Sequence, residues 1–174
     1  MMQPVVFDPA GLRVGQGYDV HAFAEGRRLI LGGVDIPHAR GLLGHSDADV
    51  LAHAISDALL GGIRGGDIGK LFPDTDPAYK GADSLKLLAA VADKVRAEGY
   101  DILDVDSVIA AQAPKLSPYR EAMRENLAAA MGIAVENVGV KATTTEHLGF
   151  EGREEGISAT AVCILFRRSD EQRN

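Results

Sequence analysis

A chain of 174 residues with 46% hydrophobic residues is long enough to bury one core without disulfides or structural metals, and the usual prior for that length is one domain. Only 5% of residues are aromatic and none is tryptophan, so that core must be aliphatic, alanine-rich and closely packed. A net charge of −7 excludes a broad electrostatic footprint for nucleic acid, and the single cysteine, Cys163, excludes an intramolecular disulfide and suits a reducing cytosol.

Residues 1–11 carry neither a basic region nor a long apolar run, so no secretory signal is read there and a cytoplasmic protein with a frayed N-terminal extension is expected. Residues 12–20 read as the first strand. Alternation puts Leu12, Val14, Gln16, Tyr18 and Val20 on one face and Arg13, Gly15, Gly17, Asp19 and His21 on the other. A carboxylate and an imidazole two residues apart on a glycine-lined face suit a metal, with the glycines leaving room for an ion and a substrate near the backbone. Residues 28–31 and 34–36 flank Gly32-Gly33 and read as a hairpin.

A helix capped by Ser46 or Asp47 then carries the periodic run Val50, Leu51, Ala54, Ile55, Ala58 and Leu59, and ends at Gly61-Gly62. His53 falls in its polar arc with Asp49, Ser56 and Asp57. A solvated helix face is the simplest reading of that arc taken alone. Read with Asp19 and His21, His53 becomes a third ligand, with Asp49 or Asp57 accepting the proton of its other ring nitrogen. An N, N, O set suits zinc and leaves a fourth position for a substrate oxygen. The stretch from Val50 to Ile63 is too short and too polar for a membrane span.

Residues 65–80 form a long connection of the kind that is often functional. Asp83 or Ser84 starts a second helix, through Glu98, with Leu85, Leu88, Ala89, Ala92 and Val95 buried. Residues 105–110 form a strand, Ser117-Pro118 opens a third helix that stops near Gly132, residues 138–143 form the next strand, and residues 157–166, apolar on both faces towards their end, form a central last strand. Residues 169–174 are a polar tail. The order predicts an α+β fold, a mixed sheet with helices on one face, whose bare face could pack on copies of the chain. Gly44-His45-Ser46-Asp47 offers an imidazole and a hydroxyl at a helix N-terminus, a phosphate-binding arrangement. Thr143-Thr144-Thr145-Glu146 offers hydroxyls and a carboxylate for phosphate with a hard cation. Cys163 reads as a small buried hydrophobe rather than a nucleophile, and His38 and His147 as surface residues.

The motifs Gly17-Tyr18-Asp19-Val20-His21, Gly44-His45-Ser46-Asp47, residues 67–76 (DIGKLFPDTD), Ala111-Gln112-Ala113-Pro114-Lys115 and Ala142-Thr143-Thr144-Thr145-Glu146 follow one another without a large gap. Together they closely resemble the 2-C-methyl-D-erythritol 2,4-cyclodiphosphate synthase family of the non-mevalonate isoprenoid pathway, over residues 12–167. The resemblance implies a single domain over residues 12–168, assembled as a homotrimer through its sheets with active sites between subunits. It implies conversion of 4-diphosphocytidyl-2-C-methyl-D-erythritol 2-phosphate to the 2,4-cyclodiphosphate with release of CMP. Zinc would sit on Asp19, His21 and His53, and magnesium or manganese on Glu146 with the substrate phosphates. His45 and Thr144 correspond to transition-state stabilisers. Asp19, His21, Ser46, Asp67, Ile68, Gly69, Phe72, Pro73, Asp74, Thr75 and Asp76 correspond to substrate contacts. Cytosine would be read by Ala111, Gln112, Ala113, Pro114, Lys115, Leu116 and Ser117 with Thr143, Thr144, Thr145 and Glu146. Phe150 and Arg153 match a position near the trimer axis that can hold an isoprenoid diphosphate. Gln16 departs from the histidine of some members. A zinc phosphohydrolase and a trimeric isoprenoid-diphosphate-binding protein are the competing readings.

Overall fold

The first strand owes its length to alternation that continues past the ligand residues: β1 runs Leu12–Ala24, four residues further than the sequence pattern reaches. The computed structural model describes residues 9–73 and 81–168. Pro9–Gly11, expected to be frayed, forms a 3-10 turn whose Gly11 is buried against Phe166. The rest of the N-terminal extension, the polar tail 169–174 and the segment 74–80 lie outside the described residues.

The hairpin β2 (Leu29–Leu31) and β3 (Val34–Ile36) stands as expected. Its two connecting residues, Gly32 and Gly33, both have positive φ (+54° and +71°), the conformation a two-residue hairpin turn demands and glycine supplies without strain. A short strand β4 (Gly41–Leu42) precedes helix α1 (Val50–Gly62). The cap of α1 is Asp49, and not Ser46 or Asp47: its Oδ1 accepts the Ala52 N–H at 3.1 Å. The same buried carboxylate accepts the N–H groups of Gly32 (2.9 Å) and Gly33 (2.7 Å), so one side chain caps the helix and closes the hairpin. Burial pushes its pKa up, against the opposing pull of those three amides.

Helix α2 (Ile68–Leu71) is a single turn inside the long connection, capped by Asp67. Helix α3 (Ser84–Ala97) is capped by Asp83 and buries Ser84, Leu88, Val91, Ala92 and Val95; Val91 joins the buried face, while Leu85 and Ala89 are only half-buried. Strand β5 (Tyr100–Ala110) starts five residues before its expected beginning, because a bulge between Ile102 and Asp104 interrupts the alternation by which a strand is read. Ser117 makes no capping hydrogen bond; residues Ser117–Tyr119 form a 3-10 turn that feeds helix α4 (Arg120–Met131), which ends at Gly132 in the left-handed conformation. Strand β6 (Val138–Thr143), the short helix α5 (Gly149–Gly152) and strand β7 (Gly156–Arg167) complete the chain.

The main sheet has the order β4-β1-β7-β5-β6, with β5 and β6 parallel and the other neighbours antiparallel. The mixed α+β sheet is therefore as expected, and β7 lies centrally. Helix α1 lies on β1 and β7, α3 against α1 and β5, and α4 over β6, so the helices cover one face. The other face exposes Val14, Tyr18, Val20, Val162 and Ile164. Gly15 and Gly17 do not make room for a ligand. A Cβ at Gly15 would lie 1.8 Å from the carbonyl oxygen of Ala58, and one at Gly17 1.9 Å from that of Ala54. The space is filled by the backbone of α1, which rests directly on β1 because the strand has no side chain there.

Candidate metal centre and adjoining clefts

The close seating of α1 sets the site. It carries His53 down beside Asp19 and His21, whose side chains leave β1 on the helix-covered face, as alternation predicts. Asp19 Oδ2 lies 3.0 Å from His21 Nε2 and 3.0 Å from His53 Nδ1, and the two nitrogens are 3.2 Å apart. An ion bound tetrahedrally at about 2.0–2.1 Å spaces its ligands about 3.3–3.4 Å apart, so the triangle fits zinc to within a few tenths of an ångström. This is the one cluster of three or more such ligands among the described residues. Burial alone would raise the Asp19 pKa, but the hydrogen bonds and positive charge of His21 and His53 outweigh it and hold the carboxyl well below the usual range. His53 responds in the opposite sense: desolvation lowers its pKa, and Asp19 more than restores it.

His53 is buried, with only 8% of its surface accessible, which rules out the solvated helix face. Neither Asp49 nor Asp57 is its hydrogen-bond partner. Asp49 is taken by the backbone, and Asp57 accepts the Ile68 N–H at 2.8 Å, tethering the start of α2. The Nε2 of His53 instead faces the hydroxyls of Ser84 (3.0 Å) and Ser46 (3.2 Å). Local spacing could not reveal Ser84, which comes from a different helix.

A cleft of about 430 Å³ opens over the triangle, lined by Asp19, His21, Gly44, His45, Ser46, His53, Ile68, Gly69, Phe72 and Leu87. His45 is exposed on its rim. The loop from Gly44 to Asp47 precedes the helix rather than forming its N-terminus, so the phosphate site expected from the helix dipole is not built there; Asp49 already takes the Ala52 N–H. Arg27 fixes that loop through its carbonyls, Nε donating to Leu42 O and Nη2 to Ser46 O, each at 2.8 Å. Pro73 is exposed at the end of the described loop, and Asp74, Thr75 and Asp76 lie outside the described residues.

A second cleft, of about 320 Å³, is lined by Ala111, Gln112, Pro114, Lys115, Leu116, Ser117, Arg120, Ala142, Thr143 and Thr144. It gathers most of the residues expected to read cytosine and adds Arg120. Beside it, the Thr144 hydroxyl donates to Glu146 Oε1 at 2.6 Å, Thr145 donates to Leu148 O at 2.5 Å, and Gln112 Oε1 accepts the His147 N–H at 3.1 Å. Phe150 is half-buried in α5, and exposed Arg153 pairs with exposed Glu155, a contact worth little in water.

Within one chain the two clefts stand apart. Register aligns Val20 with Ser158, Ser158 with Ala110 and Ala110 with Thr143. Three strand-to-strand steps of about 4.7–4.9 Å separate the strand of the metal ligands from the strand of the threonine loop by about 14 Å. Both clefts nevertheless lie at the same end of the sheet.

The family model of the YgbB family matches residues 12–166. The 2-C-methyl-D-erythritol 2,4-cyclodiphosphate synthase of Geotalea uraniireducens is 62% identical over 157 residues, covering 90% of this chain and 100% of its own length. A Plasmodium falciparum IspF in complex with CDP superposes with a TM-score of 0.80 at 34% identity, covering 93% of this chain and 100% of that one. The bifunctional IspDF of Campylobacter jejuni superposes with a TM-score of 0.87 at 45% identity over 91% of this chain; the chain spans 43% of that larger protein.

Proposed function

The chain belongs to the YgbB family, and from that premise we propose that it is a 2-C-methyl-D-erythritol 2,4-cyclodiphosphate synthase, a metal-dependent phosphorus–oxygen lyase of non-mevalonate isoprenoid precursor biosynthesis. Its substrate is 4-diphosphocytidyl-2-C-methyl-D-erythritol 2-phosphate. An oxygen of the 2-phosphate attacks the β-phosphorus, the bond from that phosphorus to the bridging oxygen breaks, and CMP leaves with that oxygen. The observation that carries this reading is the triangle of Asp19, His21 and His53, whose edges of 3.0–3.2 Å match a tetrahedral ion with one position left over.

The reaction asks little covalent chemistry of the protein. The nucleophile is internal and already anionic, so positioning and charge neutralisation carry the rate. Bound zinc, with magnesium or manganese at Glu146, supplies Lewis-acid polarisation of the phosphoryl oxygens. His45 on the rim donates to oxygens that gain charge in the transition state, and so would the Thr144 hydroxyl once Glu146, its partner in this structure, turns to the cation. Ser46, Asp67, Ile68, Gly69 and residues 72–76 hold the erythritol and phosphate part. Ala111–Ser117 with the threonine loop read the cytosine edge, and the bound CDP named for the Plasmodium protein supports that assignment.

The separation of about 14 Å within one chain is far more than one diphosphate spans. That supports a homotrimer in which the metal cleft of one subunit is completed by the threonine loop of its neighbour, with the bare apolar face of the sheet buried in between. We treat residues 12–168 as one domain, in keeping with one contiguous core, and place the reaction in the cytoplasm. Among the described residues no helix is long and apolar enough to cross a membrane. An isoprenoid diphosphate held near the axis by Phe150 and Arg153 completes the proposal.

The test is a phosphorus NMR time course with the substrate, zinc and magnesium. Appearance of CMP together with a cyclic diphosphate supports the reading; a linear phosphate product makes the chain a zinc phosphohydrolase, and binding without turnover makes it a carrier.

A further inference from the structure

From the Nε2 side of His53 runs a chain of polar groups: the buried His53 Nε2 and Ser84 Oγ, and the half-buried Asp47. Ser84 is the first residue of α3 and only 1% accessible. Its Oγ lies 3.0 Å from His53 Nε2 and donates a hydrogen bond to Asp47 Oδ1. Asp47 is itself held by backbone amides, with Ser84 N–H on Oδ2 at 3.0 Å and Asp49 N–H on Oδ1 at 3.2 Å.

Proton accounting gives this chain one direction. A carboxylate can only accept, so the Ser84 hydroxyl proton is committed to Asp47. The Ser84 oxygen then has only lone pairs to offer His53, so Nε2 carries a proton; without an ion Nδ1 can hold a second one against Asp19, and when an ion takes that proton's place the ring is left as the Nε2–H tautomer with its Nδ1 lone pair free. Nδ1 is the nitrogen that faces Asp19 and His21. Ser46 could compete for Nε2 from 3.2 Å, but its oxygen also accepts the Ala48 N–H at 3.1 Å and no carboxylate anchors its proton. A hydroxyl in the Ser46 position alone would allow either tautomer.

We propose that Ser84 and Asp47 are positioning residues for the metal ligand His53: they fix its tautomer and ring plane so that Nδ1 presents its lone pair to zinc. They reach the metal only through the imidazole. Because Asp47 also binds the Ser84 amide, the same carboxylate ties the start of α3 to the loop that carries His45 and Ser46. A carboxylate or hydroxyl behind a ligating histidine sharpens its geometry and raises its basicity, and such partners are worth roughly 10- to 100-fold in metal affinity.

The inference rests on the zinc reading of Asp19, His21 and His53, and the test keeps the two separable. Zinc affinity of the full chain is measured by competition with a chelating indicator for the parent, Ser84→Ala, Ser84→Thr, Asp47→Asn and His53→Ala. Thermal unfolding in EDTA and the visible spectrum of the cobalt-loaded proteins are recorded alongside. Ser84→Ala and Asp47→Asn are expected to lose roughly 10- to 100-fold in zinc affinity and to shift the cobalt bands, while Ser84→Thr keeps the parent's affinity. Parental affinity in both Ser84→Ala and Asp47→Asn overturns the inference while leaving the metal site standing. A loss in Ser84→Thr as large as in Ser84→Ala also overturns it, since packing and not the hydroxyl would then be the cause. Should Ser84→Ala fail to fold in EDTA, the isosteric Asp47→Asn decides. A parent that binds no zinc, or a His53→Ala chain that binds it undiminished, overturns the metal reading and this inference together.

Discussion

Replacing Gly17 by alanine puts the seating of α1 on β1 to the test with one methyl group. The added Cβ would stand 1.9 Å from the carbonyl oxygen of Ala54 and 2.6 Å from the amide nitrogen of Ala58. A carbon and an oxygen in contact keep about 3.3 Å, so the helix must retreat by about 1.4 Å. The obstruction is helix backbone rather than the end of a flexible side chain, so the cost belongs near the upper end of the overpacking range, about 3 kcal/mol. For a chain of this size that lowers the unfolding temperature by about 6–12 °C.

The displacement should also reach the metal. His53 is adjacent to Ala54 on α1, and the edges of 3.0 and 3.2 Å that join it to Asp19 and His21 would open beyond the roughly 3.3–3.4 Å of a tetrahedral ion. Because a ligand that binds only the folded state raises its stability by mass action, the Gly17→Ala chain should melt lower in EDTA and gain less on adding zinc. Differential scanning calorimetry with and without zinc reads both effects. The control is Gly61→Ala on the same helix, where the nearest atom to a new Cβ is 3.6 Å away; it should be neutral or stabilising by roughly 0.5–1 kcal/mol. A Gly17→Ala protein with the parental unfolding temperature and the parental zinc increment would refute the close seating and the way it assembles the site.

His53→Ala should abolish stoichiometric zinc, measured by atomic absorption after dialysis, while far-ultraviolet circular dichroism stays that of the parent. Glu146→Gln should retain zinc and weaken the response of turnover to magnesium; an unchanged magnesium titration would count against the role of Glu146. The Cys163 thiol donates to Ala58 O at 3.3 Å, and burial pushes its pKa up to about 11 from an ordinary 9.0. Its labelling by a maleimide at pH 8 should therefore track unfolding. The folded pKa is the higher one, so the unfolded chain ionises first: the thiol's contribution is intact below pH 9 and stability is lost as pH rises towards 11, by about 2–3 kcal/mol in all. That loss should be absent from Cys163→Ala in denaturant titrations across the same range.

What the sequence made legible is what alternation and periodicity encode locally. Asp19 and His21 share a face because they are two residues apart, and the hairpin announces itself through two adjacent glycines. Periodicity places His53 among polar residues, yet Asp49, Ser56 and His53 are all buried. A polar arc reads as a wet surface unless the residues it will bond to are known, and here those come from the hairpin amides, the helix's own carbonyls and α3. Asp49 is not legible as the cap because Ser46 and Asp47 are equally good capping types; the choice is made by the amides of Gly32 and Gly33, which only the tertiary fold brings within reach. The glycines of β1 stand out in the sequence, but a gap in a side-chain pattern does not say what fills it, and here it is the backbone of α1. Strand β5 was shortened by the bulge between Ile102 and Asp104, which defeats a rule of period two.

Seen from the sheet, the two clefts and the bare apolar face are a single constraint. The antiparallel pairing of β1 with β7 and of β7 with β5, followed by the parallel pairing of β5 with β6, brings the C-terminal ends of β1, β5 and β6 to one side of the molecule. The metal ligands and the threonine loop therefore share a rim but cannot meet across the strands that separate them. On the uncovered face, Val14 lies opposite Ile164, and with exposed Tyr18, Val20 and Val162 they make a largely apolar surface that gains by being removed from water. A rotational assembly that buries this face brings the rim of one copy beside the rim of the next. In the proposed trimer, the hydrophobic contact between copies would also set the distance between the candidate metal triangle of one cleft and the threonine loop of the other, so a substitution that loosens the sheet contact should reduce turnover even where both half-sites remain intact.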